Sequence, residues 1–144
     1  MHPYPHHYQA SASTTPTGDV RLDSPALPAL PSQPPPEFDG PGGLWSPETL
    51  LCAAVADCFV LSFRAVARAS RFEWLSLEAA TRGTLERVEG TTRFTHFHTT
   101  ATLRVPAGAD ADRARALLEK SEKVCLVSSS LVGTKHLETN VVTG

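Results

Sequence analysis

Fourteen residues from Leu50 to Phe63 include only one charged residue, Asp57, and this stretch limits the available folds more than any other part of the chain. A membrane span needs roughly 20 apolar residues, so a run of this length suits a buried core helix. Ser46 is an N-cap residue type, Pro47 fits the first helical position, and Glu48 puts a negative charge in the first turn. The helix is expected to extend to about Ala69. Leu50, Leu51, Ala54, Val55, Cys58, Leu61 and Phe63 take up nearly its whole circumference, so most of its faces must touch protein. A chain of 144 residues has difficulty surrounding such a helix alone, which favours an intimate dimer.

The flanking segments supply strands. Residues 1–10 read as a tail, and Tyr8 to Leu22 scatter Thr, Ser and Val around a Thr17-Gly18-Asp19 turn signal, a pattern for a hairpin of two short strands. Between residues 25 and 43, Pro28, Pro31, Pro34, Pro35, Pro36 and Pro41 leave too few N–H donors for regular structure, so a connector or covering loop is expected. Trp74 to Arg87 and Thr92 to Val105 both alternate and meet at Glu89-Gly90, the signature of a β-hairpin. In the second stretch, Phe94, His96, His98, Thr100 and Thr102 should share one face, and Phe97, Ala101 and Leu103 the other. Asp110 is expected to cap a helix of about Ala111 to Lys123, with a second helical segment over Cys125 to Leu131 and a last strand over His136 to Val142. Strands bracketing helices without βαβ alternation predict one α+β domain with a mainly antiparallel sheet.

Charge and cysteine content narrow the function. A net charge of -2 and a pI near 6.3 provide no broad positive field for nucleic acid or an anionic membrane surface. The start of the chain, Met1-His2-Pro3-Tyr4-Pro5, has neither the basic residues nor the apolar core of a secretory signal, so the cytoplasm is the expected compartment. Three cysteines are too few for a secreted disulfide scaffold, which leaves redox reactivity, metal binding or simple packing as their use. Cys52 and Cys58 stand about 9 Å apart along one helix, beyond the roughly 7 Å Cα limit for a disulfide, so any intrachain disulfide must recruit Cys125. Cys125 opens a helical segment, where unpaired N–H groups favour a thiolate.

The run Ser46-Pro47-Glu48-Thr49-Leu50-Leu51-Cys52-Ala53-Ala54-Val55-Ala56-Asp57-Cys58-Phe59 resembles the first signature of the OsmC/Ohr family, the osmotically inducible and organic hydroperoxide resistance proteins. Cys125-Leu126-Val127-Ser128 resembles its second signature, and Pro36 to Gly42 its glycine-rich lead-in. The resemblance implies an OsmC-like fold in which antiparallel sheets wrap long central helices in an intertwined homodimer. It also implies a thiol peroxidase that reduces organic hydroperoxides in oxidative stress defence, with no bound cofactor and an external dithiol reductant such as lipoyl groups. Carried over by position, Cys58 attacks peroxide, Cys125 resolves the sulfenic acid as a disulfide, and Glu48 orders the site. The family's peroxidases hold an arginine near the thiolate. Arg21, the sole arginine before the long helix, either fills that role or the site lacks its cation.

Other residues carry alternatives. Asp57 would raise the pKa of the adjacent Cys58 if its carboxylate approached the sulfur. Cys52 is a packing residue or a further redox partner. His96 and His98, on one face, would suit metal ligation or a polar sheet surface. Arg64, Arg68 and Arg71 favour the helix C-terminus, or reach a neighbouring subunit. Two rival functions follow: an OsmC-like small-molecule binder without turnover, and a metal-binding protein.

Overall fold

The Ser46 Oγ accepts the Thr49 backbone N–H at 3.2 Å, and Thr49 Oγ1 accepts the Ser46 N–H at 2.9 Å. This reciprocal capping box starts helix α1, Pro47–Ala69, at the predicted residues. The structure is a computed structural model describing residues 1–144, which form two compact units, Met1–Leu50 and Leu51–Gly144.

The first unit carries three antiparallel strands, β1 (Ser11–Ser13), β2 (Val20–Asp23) and β3 (Leu30–Ser32), in that spatial order. The turn between β1 and β2 includes Gly18 at φ +94°, as its Thr-Gly-Asp signal predicts. Strand β3 lies inside the proline-rich stretch that was expected to be irregular. Its place at the sheet edge explains the difference, because Pro31 pairs only with β2 and its missing N–H costs no second ladder. A single 3-10 turn, Pro36–Phe38, follows.

The second unit is built on strands β4 (Ser76–Val88) and β5 (Thr91–Val105), an antiparallel hairpin. Glu89 at φ +51° and Gly90 at φ +80° make the tight turn, both in the left-handed region that a two-residue primed turn requires. Helices α2 (Ala111–Val124) and α3 (Leu126–Ser129) lead to strand β6 (Thr134–Thr143). The fold class is α+β, but one pairing differs from the antiparallel expectation: β6 runs parallel to β5, with His98 opposite His136. A parallel neighbour requires a crossover, and α2 with α3 provides one.

Asp110 Oδ1 caps α2 by accepting the N–H groups of Asp112 and Arg113 at 3.0 and 3.1 Å. The core joins Phe59, Phe63 and Ala67 of α1 to Ala101 and Leu103 of β5 and Leu118 of α2. Phe94 departs from its predicted face. A register shift at Thr84/Leu85 leaves Thr95 of β5 without a partner, and beyond it the alternation reverses. Phe94 therefore stacks on Phe97 at a centroid distance of 5.3 Å, not beside His96.

Candidate active site

Cys58 sits mid-helix in the second unit, half-buried, on the part of α1 that also contributes Phe59 to the core. Helical periodicity places Ser62 one turn further on the same face, with its Oγ 4.0 Å from the Cys58 sulfur. Burial pushes the Cys58 thiol pKa up. Four donors act against it: the Val127 backbone N–H, the Cys125 thiol, the Ser62 hydroxyl and the Leu126 backbone N–H. Together they outweigh burial and leave the thiol below its ordinary value.

Cys125 closes α2 and precedes α3, with 1% of its surface exposed. Its carbonyl accepts the Ser129 N–H at 3.1 Å and the Ser129 hydroxyl at 2.7 Å, which fixes the junction. Burial raises its thiol pKa. The side chain and backbone of Ser128 oppose this, and the neighbouring Cys58 raises it again. The expectation that N–H groups of the helical segment favour a Cys125 thiolate is therefore corrected: Leu126 and Val127 favour the Cys58 thiolate, and Cys125 keeps its proton and donates towards it. Both thiols are free. The second unit thus brings together a half-buried sulfur poised to ionise and a buried one poised to stay protonated.

This asymmetry gives an expected result. In a pH series of iodoacetamide labelling followed by peptide mass spectrometry, Cys58 should begin to react at lower pH than Cys125, because the thiolate is the nucleophile. Superimposed profiles for the two cysteines would contradict it.

The remaining predicted residues fall elsewhere. Asp57 is exposed and takes no part in shifting Cys58. Cys52 points to β4, where a Cβ at Gly83 would stand only 2.9 Å from its sulfur, so it is a packing residue at a tight helix–strand contact. His96 Nδ1 lies 3.1 Å from His136 Nε2, and His98 Nε2 lies 3.3 Å from Glu138 Oε2, on the sheet face away from the core. No group of three His, Cys, Asp or Glu side chains converges in ligand geometry. Arg64, Arg68 and Arg71 are exposed.

Glu48 and Arg21 belong to the first unit. Glu48 lines a largely apolar cavity of about 400 Å³ with Val20, Leu22 and Gln33, and its buried Oε2 and the Gln33 Oε1 both lack hydrogen-bond donors. Arg21 alternates with Val20 and Leu22 along β2 and so points to the opposite face of the sheet. Its Nε binds Asp23 Oδ2 at 2.9 Å in an exposed ion pair. Sequence reasoning missed Ser62 and the N–H groups of Leu126 and Val127. The i, i+4 spacing from Cys58 to Ser62 was the available signal, whereas the backbone donors depend on the α2–α3 junction and have none.

Comparison with known proteins agrees with this architecture. A family model described as OsmC-like protein matches residues 40–140. YmaD of Bacillus subtilis (strain 168), which carries the name uncharacterized protein, is 25% identical over 107 residues, covering 72% of this chain and 71% of its own. An organic hydroperoxide resistance protein OsmC from Legionella pneumophila superposes with TM-score 0.74 at 24% identity over 97% of this chain and 99% of that one. An OsmC-like protein of unknown function from Vibrio cholerae gives 0.86 at 13% identity over 94% and 99%. For an organic hydroperoxide resistance protein from Elizabethkingia anophelis the values are 0.77, 18%, 98% and 99%. The family match spans well over half of the sequence and contains both cysteines of the thiol pair, and on that ground the chain belongs to the OsmC-like protein family.

Proposed function

We propose that this protein is a cytoplasmic, thiol-dependent reductase of organic hydroperoxides that acts as a homodimer and needs no bound cofactor. The observation that carries the reading is the unequal thiol pair, an activated Cys58 beside a protonated Cys125. Two proteins of similar fold bear the name organic hydroperoxide resistance protein, in line with this chemistry.

The Cys58 thiolate attacks the terminal peroxide oxygen; the O–O bond breaks and the alkoxide leaves as alcohol after taking a proton. Cys58 is then a sulfenic acid. The Cys125 sulfur displaces its hydroxyl, forming the Cys58–Cys125 disulfide and releasing water. An external dithiol, with lipoyl groups as one candidate, reduces the disulfide by two thiol exchanges. Thiolate stabilisation comes from the Val127 and Leu126 backbone N–H groups, the Cys125 thiol and the Ser62 hydroxyl. Dimerisation would cover the open side of α1, where only Val55, Phe59, Phe63, Val66 and Ala67 are buried and Leu61 is 49% exposed.

The apolar cavity of the first unit favours a second reading, an OsmC-like small-molecule binder without turnover. The test is consumption of a dithiol such as dihydrolipoamide on adding cumene hydroperoxide. Turnover supports the reductase, and tight binding of apolar ligands with no dithiol consumed would replace it with the binder.

A further inference from the structure

Beside the resolving thiol, the second unit holds a small cavity of about 10 Å³. Cys125, Ser128, Thr99 and Glu122 line it together with Phe59 and Phe97. Its volume is at the lower limit for one water molecule, roughly 10–15 Å³, and it offers the two to four polar partners that a buried water requires. Cys125 lines the cavity and Cys58 does not, although Val55 and Phe59 of the Cys58 helix do. Glu122 stands one helical turn before Cys125, and its carbonyl accepts the Cys125 N–H at 3.3 Å, which ties the two residues into one rigid turn.

We infer that Glu122 is the proton acceptor for Cys125 in the resolving step, reached through a single water in this cavity. The inference rests on the thiol-peroxidase reading above. Cys125 must lose its proton as it attacks the Cys58 sulfenic acid, yet burial favours its neutral form. In the proposed step the Cys125 S–H proton passes through the water to the Glu122 carboxylate. The S–S bond forms as the S–O bond of Cys58 breaks, the departing hydroxide takes a proton from solvent at the half-buried Cys58 and leaves as water, and Glu122 then releases its proton to solvent.

The surroundings of Glu122 make its carboxylate a stronger base than an exposed one. Burial raises its carboxyl pKa, His136 of β6 lowers it, Glu119 raises it, and Lys123 lowers it, with a net rise. Lys135 of β6 also lines the cavity, but its ammonium is bound to the Leu131 carbonyl.

The experiment mixes the reduced full-length protein with one equivalent of cumene hydroperoxide. It follows Cys58 sulfenic acid by dimedone trapping and the disulfide by mass spectrometry across pH. In Glu122→Gln, sulfenic acid should form at the parent rate while disulfide formation slows by about a hundredfold, the scale of general-base assistance. The parent rate of disulfide formation should fall as pH drops through the Glu122 titration, which burial moves upward. Glu122→Asp should keep that limb and Glu122→Gln should lose it. Parent-like disulfide formation in Glu122→Gln would overturn the inference, as would equal slowing in both variants with the limb intact. No trappable sulfenic acid in Cys125→Ser would instead overturn the peroxidase reading itself.

Discussion

Replacing Cys58 with serine is expected to reduce hydroperoxide-dependent dithiol consumption by about a thousandfold or more, to the uncatalysed background, as removing a sole nucleophile does in other enzymes. A serine hydroxyl keeps the size and the hydrogen bonds of the site, but the backbone donors of Leu126 and Val127 that lower a thiol's pKa cannot ionise an alcohol near neutrality. The Cys125→Ser protein should behave differently, consuming one equivalent of peroxide and stopping as the sulfenic acid. Cys52→Ser should turn over like the parent, because Cys52 faces Gly83 across a packing contact. Steady-state assays of the three variants with the same dithiol check all of these. Substantial turnover in Cys58→Ser would remove the basis for the mechanism.

The largest loss of stability is expected at Phe63. Its side chain is fully buried, sits where α1 meets β5 and α2, and meets Trp74 edge-to-face at 5.3 Å and 79°. Truncation to alanine removes buried apolar area and opens a cavity that the surrounding backbone cannot fill, a cost of about 3–5 kcal/mol. Loss of the aromatic pair adds about 0.5–1.5 kcal/mol. A domain of this size is commonly stable by only about 5–15 kcal/mol, so Phe63→Ala should sharply lower the urea midpoint, and Phe63→Leu should recover much of the loss. The comparison requires one protein concentration, since unfolding of the proposed dimer would depend on it. A midpoint within experimental error of the parent would show that α1 is not docked as described.

Local signals in the sequence place most elements correctly. Ser46 and Pro47 fix the start of α1, Glu89-Gly90 fixes the long hairpin, and Asp110 fixes α2. What was not legible depends on tertiary position. Pro31 argues against a strand until β3 is known to be an edge, and the parallel β5–β6 pairing cannot be read from strands that alternate equally well in either direction. The face of Phe94 depends on one unpaired residue, Thr95, which alternation counting passes over.

The candidate site follows the same division. Resemblance to two family signatures singles out Cys58 and Cys125, and the structure brings them together. The distribution of their pKa shifts was not legible, because it depends on where the N–H groups of residues 126 and 127 point after the chain turns between α2 and α3. Arg21 was named as the only arginine before α1, but the two-residue period of β2 turns it towards Asp23 and away from the cavity that holds Glu48.

The central claim is that these two sulfurs react with each other in response to peroxide. Treating the reduced protein with one equivalent of cumene hydroperoxide, digesting it without reductant and mapping the disulfides by mass spectrometry tests it directly. A single linked pair of peptides containing Cys58 and Cys125, reversed by dihydrolipoamide, is the expected result. Recovery of both cysteines as free thiols, or of a disulfide joining either one to Cys52, would contradict the account.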